Sequence, residues 1–407
     1  MTAGQRFQAG IPAPPHWCAA ASGGVLRGAK VSGTRCSSSS PADAALPPFS
    51  PPATLPLVRR ELRRTGTATT ANGTNLHPDD IVADPFVVFE DGRYRMWLTT
   101  VDWSEGTVFD ATDRRMGTGY AESPDGLTWD DRHLRSARPG HRAELVLAPG
   151  AWDAEGVETV SLARDAGGSW SLFYTGDYPD GAHAIGFARG ADDGLHWERE
   201  EAPVFVPESP WEQPVCTDPP GCTAKIGGVL EPSFLVDPDT GTQHLWYAAV
   251  HVPTADFTMS IGHASRQGEA PWVRAPGPVF DAGPVGAWDE VLVSHTHVIA
   301  DPGGGYHLFY QGLSAAQNAQ CKQEGSCPFY TPGSIGHAFS DDGLTWIRDP
   351  EPLLVPDEAA GEGFFVGGPS ALVRGDKLEL FYFGIASRDD ATFLRAHIGK
   401  AVADCAP

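Results

Sequence analysis

Three acidic side chains and a histidine stand at the start of short β-branched segments spaced along the chain: Asp84, Glu158, Glu231 and His295. Gly368 starts a fifth segment of the same kind. If the five segments hold equivalent places in a symmetric fold, these side chains meet at one end of it. Buried neighbouring carboxyls drive each other's pKa apart, so that one serves as an acid and another as a base. Hydrolysis of a glycosidic bond needs such a pair, which makes Asp84, Glu158 and Glu231 candidate catalytic residues.

A repeated phrase indicates that the five segments are equivalent. The phrase is Gly, any residue, then Ala, and each copy follows an aromatic run such as RYRMWLTT or SWSLFYTG. The copies begin at Gly119, Gly186, Gly262, Gly336 and Gly399. Three of them lead into an Asp-Gly turn that ends in Trp, at 123–129, 191–197 and 340–346. Self-similarity of this kind predicts a repeat architecture.

Each repeat unit is predicted to contain four antiparallel strands. A β-branched run comes first, then a Gly/Asp turn, an aromatic strand, the Gly-x-Ala strand and a fourth strand after the Trp turn. No helical period competes with this pattern. Five such units predict an all-β fold, a five-bladed β-propeller of four-stranded antiparallel blades whose first strands surround the axis. A β-sandwich is the alternative, but it gives no reason for five matched repeats.

The two ends of the chain are predicted to meet in the last blade. The fifth unit ends with the chain at residue 407, before a fourth strand, and the run LPLVRREL lies ahead of the first unit at 55–62. Because an unpaired edge strand favours aggregation, we expect residues near 55–63 to supply the missing strand. The sequence is therefore divided into a disordered leader rich in Ala, Ser, Pro and Gly at 1–54 and a propeller at 55–407.

Charge and hydropathy narrow the class of ligand. The 52 acidic and 29 basic residues give a formal net charge of −23, whereas nucleic acids, anionic membranes and polyanionic substrates call for a basic surface. No apolar run in the sequence is long enough to span a bilayer. We therefore expect a neutral carbohydrate substrate, no nucleic-acid partner, no membrane span and a monomer.

Two pairs of cysteines enclose short polar loops: Cys216 with Cys222, and Cys321 with Cys327. Local pairs of this kind predict disulfides and a location outside the cell, in the periplasm or in the cell envelope. The leader contains no readable secretory segment, and free thiols in a cytosolic protein are the alternative. Neither pair has zinc-ligand spacing. We predict no metal and no other cofactor, and leave open an axial calcium or sodium ion near His295.

The Asp-Pro-x-Val opening of the first unit, the SPDGLTW-type turns and the count of five units resemble the glycoside hydrolase propellers of families 43, 32, 68, 62, 117 and 130. The resemblance covers residues 78 to 404 and matches no single family closely. It implies that Asp84 is the base or nucleophile. It also implies that Glu231, which precedes Pro232, holds a position that tunes the acid in family 43.

The proton donor does not follow from the resemblance. Family 43 takes it from a Glu-Gly-Pro phrase, and this chain has glycine in Gly367-Gly368-Pro369 where that Glu is expected. Glu231, Glu158 or His295 could fill the role, and family 117 resembles this chain in using a His. We favour Glu231 as the acid and Asp84 as the base, with Glu158 and His295 positioning the substrate.

Further candidate substrate contacts are imidazole and aromatic side chains. His295 and His297 share one face of a predicted strand, where a satisfied core pair or a bound cation competes with substrate binding. The tryptophans that precede first strands could stack on sugar rings or pack between blades. The candidate sugar platforms are Trp103, Trp152, Trp288 and Phe365.

Three functions stay open at this level. The first is a glycosidase acting on a neutral, arabinose- or fructose-containing glycan. A glycoside phosphorylase on the same scaffold would need basic residues for phosphate, for which Lys225, Arg266 and Arg388 are scattered candidates. The third is a non-catalytic propeller that binds glycan or protein. An open cleft between the Asp84 and Glu231 carboxyls supports catalysis, and a channel filled by side chains supports binding.

Overall fold

The computed structural model of the chain describes residues 62–71, 76, 81–102, 115–130, 147, 150–164, 168–191, 193–251, 258–316, 333–386 and 396–404. The predicted leader at 1–54, Trp103, Arg388 and the Cys321–Cys327 pair lie outside these residues. Within them no helix is both long and apolar enough to cross a membrane.

The described residues form an all-β structure with two short 3-10 helices, Pro210–Glu212 and Glu358–Ala360. The strands before residue 200 are β1 (Arg63–Thr67), β2 (Thr69–Thr70), β3 (Ile81–Glu90), β4 (Arg93–Asp102), β5 (Arg115–Ser123), β6 (Thr128–Trp129), β7 (Gly156–Arg164), β8 (Trp170–Asp177), β9 (Ala182–Gly190) and β10 (Trp197–Arg199). The later strands are β11 (Val215–Cys216), β12 (Lys225–Val236), β13 (Thr242–His251), β14 (Thr258–Gln267), β15 (Val273–Arg274), β16 (Leu292–Ala300), β17 (Tyr306–Leu313), β18 (Ser334–Ser340), β19 (Ile347–Arg348), β20 (Phe365–Arg374), β21 (Lys377–Ile385) and β22 (His397–Asp404).

The strands pair antiparallel in the order that the repeats predict. Unit one is β3-β4-β5, unit two β7-β8-β9-β10, unit three β12-β13-β14-β15, unit four β16-β17-β18-β19 and unit five β20-β21-β22. Short parallel pairings link units one to three, between β5 and β7 and between β9 and β12. The all-β prediction and the predicted antiparallel pairing are confirmed for these residues.

The first strands of the units contact one another in cyclic order. Strand β3 contacts β7, β7 contacts β12, β12 contacts β16, β16 contacts β20, and β20 contacts β3. Serine hydroxyls carry part of this contact: the amide of Phe234 donates to Ser161 Oγ at 2.8 Å, and that of Val87 donates to Ser370 Oγ at 2.9 Å. The second of these bonds joins unit five to unit one.

The N-terminal segment joins the last unit to the first. Strand β1 pairs antiparallel with β22, with Arg63 opposite Val402, and β2 pairs in parallel with β6. The strand that completes unit five therefore begins at Arg63, later than the predicted 55–63. The prediction was based on the apolar residues of the run LPLVRREL. The outer edge of a sheet faces water, however, and takes polar residues such as the RRTGT of β1.

A buried acid, a tyrosine and an arginine bond together in units two to five. The acid precedes the first strand, the tyrosine lies on the second, and the arginine lies on the fourth. These buried sets are Asp153–Tyr174–Arg199, Glu212–Tyr247–Arg274, Asp289–Tyr310–Arg348 and Glu362–Tyr382–Arg64. In unit four, Tyr310 Oη and Arg348 Nη1 donate to Asp289 Oδ2 at 2.8 and 2.7 Å. Because β1 supplies Arg64, the N-terminal strand completes the last set as well as the last sheet.

The buried sets explain the glycine of the Gly-x-Ala phrase. A Cβ atom on Gly186 would lie 2.0 Å from Cζ of Tyr174, and one on Gly399 would lie 2.4 Å from Cζ of Tyr382. Any side chain there would displace the tyrosine from its acid. In unit one Leu98 stands opposite Gly119, where the other units have the tyrosine.

The predicted disulfide between Cys216 and Cys222 is absent, since both residues are free thiols. The loop is held instead by Asp218, whose carboxylate accepts hydrogen bonds from the amides of Thr223 and Ala224 at 3.1 and 2.9 Å. Cys216 Sγ lies 3.7 Å from Asp218 Oδ1. The Asp218 carboxylate thus fixes this turn without a covalent link.

Candidate active site

Five first-strand residues share an unusual backbone conformation. Their φ angles are positive: 48° at Asp84, 46° at Thr159, 54° at Glu231, 45° at His295 and 55° at Gly368. Each lies where strand pairing is interrupted by a bulge, for example between Ala83 and Phe86 in unit one. The left-handed region disfavours residues with a Cβ, and residues held there concentrate at functional sites. The backbone therefore identifies these five positions as equivalent.

The equivalent residue in unit two is Thr159, so the alignment of Glu158 with Asp84 is wrong by one position. Glu158 still pairs with Thr175, and regular pairing resumes at Ser161 opposite Phe173. The alignment matched acidic residues, but the register of a bulge is set by the backbone and carries no charge signal. Glu158 consequently lies just before the ring of left-handed residues.

His295 lies between the carboxyl groups of Asp84 and Glu231, and we call these three residues the central triad. Its Nε2 is 3.2 Å from Asp84 Oδ1, and its Nδ1 is 3.0 Å from Glu231 Oε1. The backbone amide of His295 also donates to Glu231 Oε2 at 2.6 Å. Burial opposes the charged ring, but the Glu231 and Asp84 carboxylates outweigh it and raise the pKa of His295 well above its usual value. The triad is thus an imidazolium flanked by two carboxylates.

Threonine hydroxyls from neighbouring strands hold the central triad in place. Thr175 Oγ1 accepts from the amide of Glu231 at 2.7 Å, and Thr99 Oγ1 accepts from the amide of Thr159 at 3.0 Å. Thr159 Oγ1 in turn donates to Asp84 Oδ2 at 3.4 Å. Strained positions persist only where surrounding bonds determine them, and these hydroxyls provide such bonds.

The fifth of the left-handed positions is Gly368, which has no side chain. A Cβ on Gly368 would lie 2.8 Å from the ring of Phe383 and 3.1 Å from Asp84 Oδ1. The glutamate that the family resemblance expects falls one residue earlier, at Gly367, where a Cβ would lie 2.2 Å from Gln311 Oε1 and 2.5 Å from Cζ of Phe365. Neither glycine therefore has room for a side chain.

Glu158, Asp177 and His183 form a second group, which we call the side cluster. One ligand atom from each lies within 4.8 Å of the others, and His183 Nε2 is 3.4 Å from Asp177 Oδ1. Burial raises the pKa of Glu158 well above its usual value, and the nearby charges of Asp177 and Asp84 raise it further. Glu158 therefore holds its proton at a pH where an exposed glutamate has lost it.

The cavity beside the central triad is small. A cavity of about 20 Å³ is lined by Asp84, Thr159, His295, Gly368 and the residues that follow them. This volume suits about one water molecule. Glu158, Asp177 and Glu231 are not among its lining residues. Where an open cleft between the Asp84 and Glu231 carboxyls would support catalysis, the imidazole of His295 lies between them.

Most of the other predicted substrate contacts lie in the core. His297 is buried, its Nε2 donates to the Ala371 carbonyl at 3.0 Å, and burial lowers its pKa to about 4. Phe365 is fully buried against Phe383. Both residues were expected to contact substrate, but the bulge at His295 turns His297 into the hydrophobic interior, and Phe365 packs between sheets.

The two described tryptophan candidates pack on the tyrosines of the buried sets. Trp152 stacks on Tyr174 at 6.1 Å between ring centroids, and Trp288 stacks on Tyr310 at 5.6 Å. Trp211 and Tyr247 repeat the arrangement in unit three at 6.2 Å. The same packing in three units favours a structural role over a sugar platform, and the contact lies within each unit rather than between units.

The two described candidates for a phosphate site are engaged away from the central triad. Lys225 Nζ lies 2.7 Å from Asp180 Oδ2. Arg266 bonds Gln243 Oε1 at 2.7 Å and lies over the ring of Trp272. Neither cation is directed at Asp84 or Glu231.

Sequence reasoning missed Thr159, Asp177 and His183. Asp177 ends the aromatic strand of unit two in the phrase YTGD, and His183 begins the next strand opposite it. An acid at the end of a second strand facing a histidine at the start of the third is a readable signal, but only after the hairpin is registered. Thr159 carries no charge and leaves no such signal.

No protein-family model matches the chain, and no curated protein matches it. Solved structures do. A thermostable family-43 glycoside hydrolase gives a TM-score of 0.55 at 17% identity, covering 83% of this chain and 91% of that protein. A second structure comes from work on family 130, a family of mannoside phosphorylases that contains glycoside hydrolases targeting β-1,2-mannosidic linkages in Candida mannan. It gives a TM-score of 0.57 at 17% identity, covering 89% of this chain and 98% of that protein.

The β-1,2-mannobiose phosphorylase from Listeria innocua, in complex with β-1,2-mannobiose, gives a TM-score of 0.54 at 13% identity, covering 84% of this chain and 97% of that protein. Identities of this size demonstrate a shared fold. The structural neighbours of the chain are therefore glycoside-hydrolase-like propeller proteins, and the predicted resemblance to such proteins, without a close match to one family, is confirmed at the level of the fold.

Proposed function

We propose that the five units are the blades of a five-bladed β-propeller closed by β1. Support comes from the cyclic contacts of the first strands and from the buried set that β1 completes with Arg64. The five left-handed positions then form a ring around one axis. Asp84 and Glu231 reach the same imidazole from two separate units, which such a ring explains.

We propose further that the protein cleaves glycosidic bonds of a neutral glycan at this ring. The observation that carries the proposal is the meeting of Asp84, Glu231 and Glu158 around one buried site. The site is rich in carboxyl groups, as glycoside hydrolysis requires. Its negative charge, like the formal charge of the whole chain, disfavours anionic substrates.

Asp84 is assigned as the base or nucleophile, as the family resemblance implies, and it lies 3.2 Å from His295 Nε2. Glu158 is assigned as the proton donor in place of Glu231. Glu231 is committed to His295, from whose backbone amide and ring it accepts hydrogen bonds. No ion pair or hydrogen bond engages the Glu158 carboxyl among the described residues, and burial raises its pKa well above the usual value. His295 is a positioning residue that fixes the two carboxylates one imidazole ring apart.

Two other functions have less support. A phosphorylase needs cations near the ring, and Lys225 and Arg266 are committed elsewhere. A non-catalytic binding propeller is favoured by two observations, the small cavity beside the triad and the imidazole of His295 between the Asp84 and Glu231 carboxyls. The location outside the cytoplasm remains a proposal, without support from Cys216 and Cys222, which are free thiols, and the monomeric state remains a proposal as well.

The test is a panel of aryl glycosides and neutral oligosaccharides, including arabinofuranosides, fructofuranosides and β-mannosides, assayed with and without phosphate. We expect hydrolysis by the wild type and a fall in kcat/KM of roughly 10²- to 10⁴-fold in Asp84→Asn. Asparagine tolerates the left-handed backbone at this position better than alanine, so the variant isolates the charge. Exposed Glu200→Gln is the matched control and keeps full activity. Glycan binding without turnover on any substrate would replace the proposal with the binding function.

A further inference from the structure

The side cluster brings three metal-ligand groups together on rigid elements. Glu158 lies on β7, Asp177 ends β8 and His183 begins β9, and these three strands are consecutive and paired antiparallel. Asp177 stands directly opposite His183 in the ladder. Groups placed by adjacent strands are held more accurately than groups on loops. The arrangement is therefore built before any ligand arrives.

His183 is oriented as metal-binding histidines are. Its Nδ1 lies 3.1 Å from the backbone carbonyl of Gly227, so Nδ1 carries the proton and donates it to that oxygen. Gly227 belongs to β12, which pairs in parallel with β9 at this point. The other ring nitrogen, Nε2, faces Asp177 at 3.4 Å. Histidine ligands to metals show the same use of the second nitrogen, which fixes the tautomer and the ring plane.

The spacing of the ligand atoms suits a small divalent ion. Bonds of 2.0–2.1 Å in a tetrahedral site place neighbouring ligand atoms about 3.4 Å apart, and His183 Nε2 is 3.4 Å from Asp177 Oδ1. The ligand atoms of all three residues lie within 4.8 Å of one another.

The donor set selects the type of ion. One imidazole with two carboxyl groups suits zinc, manganese, iron or cobalt, whereas calcium and magnesium prefer oxygen ligands alone. Three protein ligands leave at least one coordination position for water or a sugar hydroxyl. The His183 side chain is 21% exposed, so an ion can reach the cluster from solvent.

We propose that Glu158, Asp177 and His183 form a binding site for one divalent transition-metal ion beside the central triad. A bound ion occupies the Glu158 carboxyl as one of its three protein ligands. If the proposed function holds, the same carboxyl cannot then donate a proton to a glycosidic oxygen. Metal binding and acid catalysis at Glu158 are mutually exclusive, so the ion acts as an inhibitor.

The binding test uses Co²⁺ and Zn²⁺ with the full chain and does not depend on a known substrate. Addition of Co²⁺ to the wild type is expected to give a visible d–d spectrum that saturates at one ion per chain and is displaced by Zn²⁺. His183→Ala and Asp177→Asn are each expected to weaken Co²⁺ binding by at least about a hundredfold. Loss of an outer-shell partner already costs up to about that much, and these residues are proposed as direct ligands. The spectrum contains no thiolate charge-transfer band, which separates this site from the Cys216–Cys222 loop.

His196→Ala is the matched control, because His196 also pairs with an aspartate, Asp193, at 2.5 Å but on an exposed turn. It leaves Co²⁺ binding unchanged. Circular dichroism of each variant verifies that the sheet is intact. Absence of saturable Co²⁺ binding in the wild type, or equal binding by wild type and His183→Ala, would overturn the proposal. Glu158→Gln distinguishes failure of the metal site from failure of the proposed function. If this variant loses metal binding but still cleaves glycans, the metal site stands and only the assignment of Glu158 as the acid is refuted.

Discussion

Buried carboxyl groups serve two different regions of this molecule. In the four buried sets each acid meets one arginine and one tyrosine; Glu212, for example, accepts from Tyr247 at 2.6 Å, from Arg274 at 3.0 Å and from two backbone amides. The charges balance and the donors are matched to the acceptors. Such a set joins the segment before the first strand to the second and fourth strands of its unit.

The central triad and the side cluster have the opposite balance. Four carboxyl groups, those of Asp84, Glu158, Asp177 and Glu231, face two imidazoles. Three of the five ring positions place a charged or titratable side chain on a left-handed backbone. Strain and excess charge cost stability, and proteins retain them where chemistry needs them. The comparison teaches that charge balance, more than burial, distinguishes the scaffold from the candidate site.

The largest expected effect on stability comes from breaking a buried set. Glu212→Gln removes the buried counter-charge of Arg274 and leaves it only the exposed Glu208 carboxylate at 3.4 Å; loss of one partner of a buried ion pair costs about 3–5 kcal/mol. We expect urea denaturation to report a decrease of this size, while kcat/KM per folded molecule stays unchanged. Exposed Glu201→Gln is the control and shifts the unfolding free energy by less than about 0.5 kcal/mol. A stable Glu212→Gln variant with reduced activity would reverse the roles assigned to the two regions.

The next effect concerns Glu158 and depends on the substrate. Glu158→Gln removes the proposed proton donor, so cleavage of substrates with poor leaving groups is expected to fall by roughly 10²- to 10⁴-fold. Activated aryl glycosides need little protonation and lose far less. The ratio of kcat/KM for the two substrate types is the readout. A variant that loses both activities equally would show that Glu158 holds the structure or the substrate and does not donate the proton.

A smaller effect follows from buried histidines outside the site. Burial lowers the pKa of His297 to about 4; burial and the adjacent His244 lower that of His263 to about 4. Both stay neutral in the folded protein while the unfolded chain takes up protons near pH 6.5. Above that pH the two histidines are neutral in both states and do not reduce the free energy of unfolding. As the pH falls from 6.5 toward 4, each histidine lowers the free energy of unfolding by about 1.4 kcal/mol per pH unit.

The pH dependence is measured by urea denaturation between pH 6 and 4.5. His295 does not contribute in this window, because its raised pKa keeps it protonated in the folded state, as in the unfolded chain. His297→Gln is expected to reduce the slope by one histidine's share, since its amide still reaches the Ala371 carbonyl. An unchanged slope in that variant would mean that His297 is protonated in the folded protein.

The repeat and its antiparallel strands were predictable because the regular spacing of glycines and aromatic residues marks each unit in the sequence. Asp84, Glu231 and His295 were also predictable as equivalent positions from the phrases that follow them, although each lies inside its first strand and not at the start of it. The error at Glu158 arose because a bulge shifts the register without changing composition. The acid–tyrosine–arginine sets were missed because their members come from segments that only the folded sheet brings together, and Arg64 is separated from Glu362 by almost the whole chain.

The predicted open cleft illustrates a different limit. Sequence placed Asp84 and Glu231 at equivalent positions but could not indicate that His295 lies between them. That contact depends on the χ angles of a histidine on a left-handed backbone, which no local pattern encodes. The same holds for His297 and Phe365, whose chemistry suits a binding site and whose positions are in the core.

The central claim is that Asp84 belongs to the chemistry and not to the scaffold. The most direct measurement is the unfolding free energy and kcat/KM of Asp84→Asn on the same preparation. The account predicts a loss of roughly 10²- to 10⁴-fold in kcat/KM with no loss of stability comparable to that of Glu212→Gln. A variant that unfolds several kcal/mol more easily, yet cleaves glycans at the wild-type rate while folded, would contradict it.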